Sequence, residues 1–258
     1  MPTAQILRGP HADVEIPDCS LPEYILSRLP RYGERASFVD ADSGRGYSFA
    51  QIDQMIRSLA TGFAQQGVRK GDVVAICTPN LPEYRVVFQG VAMLGAILTT
   101  ANPLYTEDEL AHQFADAGAS VLFTIAALLP KLEAVAQRCN LQIIVIVDTT
   151  EHLQLQTLLQ AAPMQAPVAI DSTTDSVVLP YSSGTTGRPK GVQLTHRNLV
   201  ANLVQLEGAT DNHRLDDTDV VEGVLPFFHI CGLMALLAIA LSNGAKVIGM
   251  MRLTWMPF

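Results

Sequence analysis

The sequence predicts an α/β fold: mostly parallel sheets flanked by helices. Three observations carry that expectation. Short β-rich runs alternate with helical segments between residues 73 and 147. Two helical segments open on capping-box spacings, and one of them repeats its apolar residues every three to four positions. Proline, asparagine and glycine punctuate the junctions. Strand, helix, strand, helix, strand in succession implies right-handed βαβ units. In such sheets ligands sit at the carboxyl ends of the strands.

Taken in order, residues 1–30 hold five prolines and read as an extended lead-in. Arg45–Phe49 reads as a strand edge entering a helix. Ser48 and Gln51 have capping-box spacing, Ile52, Met55, Ile56, Leu59 and Phe63 form an apolar stripe, and Gly67 marks the stop. Val73–Cys77 is the next strand, closed by Thr78-Pro79-Asn80, and a helix is expected from about Pro82 to Leu94. Ala96–Thr99 follows, ending at Asn102-Pro103. Thr106 and Glu109 open a helix that runs to Gly118. Val121–Thr124, a helix over roughly Leu128–Arg138, and Ile143–Val147 complete the alternation. Residues 149–175 form a polar connector with a weak helix near Leu153–Gln160. Beyond residue 190, Val192–Leu194 looks strand-like, and Leu199, Leu203, Val204 and Leu206 suit a helix. Asp211–Asp219 is acidic and turn-rich. Val220–His229 reads as a strand, and the apolar run Ile230–Leu241 as a buried helix, being far shorter than the ~20 residues that span a bilayer.

At 258 residues with 48% hydrophobic and 16% charged side chains, the chain can bury a sizeable core. The net charge of −8 argues against a general nucleic-acid surface or an anionic membrane surface. Cys19, Cys77, Cys139 and Cys231 are far apart, which supports neither a zinc site nor a disulfide framework. The N-terminus lacks a basic start followed by an apolar run, so no secretory signal is expected. A reduced, cytoplasmic setting is the simplest reading.

One stretch stands apart. Tyr181-Ser182-Ser183-Gly184-Thr185-Thr186-Gly187-Arg188-Pro189-Lys190-Gly191 follows the strand-like Val177–Leu179 and offers little to a core. It offers much to a polyphosphate. Glycines let backbone N–H groups close on an anion, hydroxyls donate hydrogen bonds, and a lysine supplies a point charge. The bland alternative is a polar surface loop. The ordinary P-loop does not fit, because no Gly-Lys-Ser/Thr occurs at the required spacing. Gly-x-Gly-x-x-Gly is missing too. A second candidate is His229 in Pro226-Phe227-Phe228-His229-Ile230. A histidine beside aromatics is commonly a satisfied core residue, but this one is expected at a strand end, followed by Gly232 and a helix.

With both segments in view, the chain resembles the adenylate-forming, or AMP-binding, superfamily of acyl- and aryl-CoA synthetases, luciferases and nonribosomal adenylation domains. Tyr181–Gly191, Asn102–Thr106 and Pro226–Ile230 match motifs of its 4-coumarate–CoA ligase and luciferase branch. The resemblance implies the large N-terminal domain of such an enzyme and ATP-dependent activation of a carboxylic acid to an acyl-adenylate with release of pyrophosphate. Thioester formation with coenzyme A follows. It implies that Ser182, Ser183, Gly184, Thr185, Thr186, Gly187 and Lys190 cradle the ATP phosphates with Mg²⁺, with Thr185, Lys190 and His229 closest to the chemistry. No protein metal ligands are implied. His229, Cys231 and Ala235 would border the acid. Hydroxycinnamate-specific relatives usually carry Tyr where Cys231 stands, so a plainer acyl or aryl acid is expected.

The resemblance also implies motifs that the chain does not reach: an adenine- and ribose-binding half, and a mobile C-terminal domain with its catalytic lysine. Residues 1–250 are therefore expected to be part of the N-terminal domain, truncated, with 251–258 an atypical tail. The chain alone is then expected to be inactive in adenylate formation and poorly soluble. Two other readings stay open at this point: a non-catalytic nucleotide- or partner-binding fragment, and a conventional P-loop NTPase.

Overall fold

The computed structural model describes residues 13–146, 151–182, 189–208 and 215–250. Local sequence rules account for most of its elements. Helix α1 (Leu21–Leu26) starts on Ser20, whose hydroxyl accepts from Glu23 N while Glu23 accepts from Ser20 N. The lead-in is thus not wholly extended. A Ser-x-x-Glu box opens a short helix that its prolines do not prevent, since Pro22 sits in the first turn where no N–H is needed. The same reciprocal box opens α2 (Phe49–Gln65) at Ser48 and Gln51, and α4 (Glu107–Ala117) at Thr106 and Glu109. Gly118 closes α4 in the left-handed region, φ 66°.

The strands form two sheets. The smaller contains β1 (Ala36–Asp40), β2 (Gly46–Ser48), β11 (Val220–Gly223) and β12 (Lys246–Gly249), in the order β11-β12-β1-β2, with only β1–β2 antiparallel. The larger is built on β3 (Val73–Ile76), β4 (Ile97–Thr100), β5 (Ala119–Thr124), β6 (Gln142–Val145), β7 (Leu153–Gln154) and β8 (Ser176–Ser182). These six run parallel, in the order β8-β4-β3-β5-β6-β7. The short β9 (Lys190–Gly191) and β10 (Leu194–Thr195) pair antiparallel with β8. The strand-like reading of Val192–Leu194 is corrected accordingly: residues 192 and 193 bridge two short strands.

Side-chain alternation along β3 explains the layering. Val74 and Ile76 pack in one apolar cluster with Leu59 and Phe63 of α2 and Phe88 of α3 (Tyr84–Met93). Ala75 and Cys77 face the other way, onto Phe114 of α4 and Leu132 of α5 (Leu129–Cys139). Helices α2 and α3 lie between the two sheets. Phe63 meets Phe123 of β5 at 5.3 Å between ring centroids, and Arg85 donates to Ser37 Oγ of β1 at 2.7 Å.

Consecutive crossovers leave β3 and β4 on opposite faces, through α3 and α4. The carboxyl end of this strand pair is therefore the switch point where a crevice opens. The short α6 (Leu155–Leu158), helix α7 (His196–Gly208) and a π-helical segment, Gly232–Ala238, continuing into α8 (Ile239–Asn243), follow along the chain. The expected strand Val220–His229 is shorter than its apolar composition implies. It ends at Gly223, and residues 224–229 form a turn held from the other sheet.

Candidate functional site

The turn carrying His229 is fixed by two polar residues at strand ends of the larger sheet. Asn80, 9% exposed, follows β3. Its Nδ2 donates to the carbonyls of Gly223 and Leu225, each at 3.0 Å, and its Oδ1 accepts from Phe227 N at 2.9 Å. Thr100, the last residue of β4, donates from Oγ1 to Phe228 O at 2.6 Å. Phe227 anchors the turn in the core, edge-on to Phe38 at 5.9 Å and to Tyr84 at 5.8 Å. Gly232 permits the geometry, because a Cβ there would lie 2.1 Å from Pro226 O.

His229 itself is exposed, and its Nδ1 accepts from Cys231 N at 3.2 Å. That bond requires an unprotonated Nδ1 and leaves Nε2 as the ring atom available to a ligand. Cys231 is exposed and Ala235 half-buried, the latter inside the π-helical segment. Such wide turns are common where a helix shapes a site.

The phosphate-loop candidate leaves the same edge. Ser182 ends β8 and pairs with Lys190 at the start of β9; both are exposed. Ser183, Gly184, Thr185, Thr186 and Gly187 lie outside the described residues. The stems of the stretch are firmly tied. Tyr181 pairs with Gly191, and its hydroxyl donates to Asp116 Oδ2 at 2.6 Å. Burial, and then that carboxylate, push the Tyr181 phenol well above its usual range. Val192 N donates to Pro180 O at 2.9 Å, and Thr99 Oγ1 donates to Leu179 O at 3.0 Å.

Thr100 links the two candidates. It is in register with Pro180 of β8 and hydrogen-bonded to Phe228, so the phosphate stretch and the His229 turn leave from either side of one residue. Asn80 and Thr100 escape a reading of the sequence by motif. Asn80 looks like turn punctuation after a strand and Thr100 like a strand terminus. Their one signal is a polar residue at the carboxyl end of an apolar strand.

Chemically, this edge offers an exposed cation, hydroxyl and backbone donors, and an imidazole with a free nitrogen. Among the described residues no group of three or more His, Cys, Asp or Glu side chains could hold a metal. No helix among the described residues is long and apolar enough to cross a membrane.

Comparison with known proteins agrees with this architecture. The family described as "AMP-binding enzyme" matches residues 27–254. The chain is 38% identical over 256 residues to 4-coumarate--CoA ligase 5 of Oryza sativa subsp. japonica, covering 98% of this chain and 47% of that protein. It is also 38% identical over 251 residues to 4-coumarate--CoA ligase of Pinus taeda, covering 96% and 47%. Among solved structures, a long-chain-fatty-acid-CoA ligase from Archaeoglobus fulgidus superposes with a TM-score of 0.85 at 26% identity, over 96% of this chain and 50% of that one. A red-emitting luciferase from Phrixothrix hirtus shares the fold, with a TM-score of 0.86 at 21% identity, over 96% of this chain and 49% of that one. The chain thus spans about half the length of the relatives it matches. With the family match extending through both candidate segments, the chain belongs to the AMP-binding enzyme family.

Proposed function

We propose that this chain serves the ATP-dependent activation of a carboxylic acid, with an acyl-adenylate and pyrophosphate as first products and coenzyme A as the acceptor in a second step. The observation that carries the reading is the convergence on Thr100 of a Ser/Thr/Gly-rich stretch ending in Pro189-Lys190-Gly191 and a turn bearing an exposed histidine. Relatives named 4-coumarate--CoA ligases support the reaction class.

In this reading Ser182, Ser183, Gly184, Thr185, Thr186, Gly187 and Lys190 bind the β- and γ-phosphates. Charge builds there as pyrophosphate departs, and donors aimed in advance at that charge lower the barrier. Mg²⁺ accompanies the nucleotide and shields the same oxygens. His229 Nε2 faces the acid and the forming adenylate, and Cys231 and Ala235 border the acyl group. Four free cysteines support a reducing, cytoplasmic setting.

Equilibrium binding of ATP with Mg²⁺ to the 258-residue chain tests the phosphate site, while carboxylate-dependent exchange of labelled pyrophosphate into ATP is not expected of this chain alone. Release of inorganic phosphate instead of pyrophosphate would overturn the proposal. So would ATP binding that is indifferent to replacement of Lys190.

A further inference from the structure

The stem of the phosphate stretch is fastened to α4 by a side-chain bond between distant residues. Tyr181 pairs with Gly191 and Ser182 with Lys190, while the Tyr181 hydroxyl donates to Asp116 Oδ2 at 2.6 Å, 65 positions away in the chain. On the phosphate-binding reading above, we propose that Tyr181 and Asp116 form a positioning latch. It holds the β8–β9 stem, and with it Lys190, in place for a polyphosphate that neither residue of the latch touches.

Asp116 lies in the last turn of α4, which contains no basic residue. A carboxylate is unfavourable there, beside the negative end of the helix dipole. Helix stability therefore does not account for Asp116; the phenol it accepts from does. Gly191 points the same way. Its φ lies outside the left-handed region, so the backbone does not demand glycine. The Tyr181 ring lies across it instead: an added Cβ would stand 3.1 Å from Cζ and 3.2 Å from the hydroxyl oxygen. A strand glycine here serves close approach, letting the ring cross the stem and reach α4.

Helix α4 is itself anchored. Gln113, one turn before Asp116 and on the same face, is 4% exposed, and its Nε2 donates to Thr100 O at 2.9 Å. Thr100 is in register with Pro180, the residue before Tyr181. The latch thus ties the stem to a buried point of the central sheet, which the two-residue β9 could not supply alone.

Tyr181→Phe keeps the ring and removes the hydroxyl, and Asp116 is exposed, so neither site puts folding at risk. Val192 N donates to Pro180 O at the foot of the stem, and its amide hydrogen exchange in the ligand-free chain reads the latch directly. Exchange is expected to quicken at least about threefold in Tyr181→Phe and in Asp116→Ala, with the unfolding midpoint unchanged. Asp116→Asn, whose amide oxygen still accepts, should restore most of the protection. Titration with Mg²⁺ and tripolyphosphate reads the consequence. Tyr181→Phe should weaken binding about fivefold when Lys190 is present and less than about twofold in Lys190→Ala, because the latch acts through the lysine. Equal losses in both backgrounds, or Val192 exchange unmoved by Tyr181→Phe, would rule the latch out. A parent chain that shows the exchange response but binds no tripolyphosphate would overturn the phosphate reading while upholding the latch.

Discussion

The hydroxyl of Thr100 donates to the carbonyl of Phe228 across 128 residues of chain, at 2.6 Å. This bond joins the carboxyl end of the central parallel sheet to the turn that presents His229. It gives the first prediction. Thr100→Val keeps the shape of the side chain and removes the donor, leaving Phe228 O unpaired. A loss of about 1–2 kcal/mol in urea unfolding is expected. Thr100→Ser should restore most of it.

Asn80 holds the same turn from β3 with three hydrogen bonds. Asn80→Ala strands two carbonyls and one N–H in a largely buried place. The expected cost is about 2–3 kcal/mol, read as a lower denaturation midpoint. Asn80→Asp retains the acceptor for Phe227 N but sets a carboxylate against the Gly223 and Leu225 carbonyls, and should be no better than alanine.

Gly232→Ala places a methyl 2.1 Å from the Pro226 carbonyl, against backbone that has no rotamer to yield. The turn must open to admit it. Loss of about 2 kcal/mol or more is expected, together with altered chemical shifts for the His229 ring.

Lys190 is exposed at the start of β9. Lys190→Ala should therefore leave the unfolding midpoint unchanged and weaken ATP binding by tenfold or more, on the order of a lost charge-assisted contact to phosphate. A parallel loss of stability would instead mark the lysine as structural.

His196 is fully buried, and its Nδ1 accepts from Leu21 N at 3.2 Å. Burial lowers its pKa to about 4 from an ordinary value near 6.5. The unfolded chain therefore takes up a proton before the folded one does. Its contribution to stability is complete above pH 6.5 and falls progressively between pH 6.5 and 4, then stays flat below. His196→Gln should flatten that segment of the stability–pH curve, measured by denaturant titration at half-unit steps.

Much of the fold was legible in local pattern. Ser48–Gln51 and Thr106–Glu109 announced their helices, and the structure shows both boxes closed reciprocally. The β-rich runs at 73–77 and 121–124 became neighbouring parallel strands. Of the three readings that needed correction, two share one reason. The prolines of the lead-in hid the Ser20–Glu23 box, and the apolar residues after Gly223 imitated a strand. Composition was read as conformation where tertiary contacts decide it: Phe227 is apolar because it anchors a turn in the core, not because it extends a sheet.

By itself, the sequence determined the succession of elements and the residue types able to handle phosphate and acid, since both are written in spacings of a few residues. Only the tertiary structure decided that Asn80 and Thr100 govern the His229 turn and that Thr100 stands between it and the phosphate stretch. The hydrogen bonds to that turn join residues 128 to 147 positions apart, where hydrogen-bond direction and burial, rather than local propensity, select the partner.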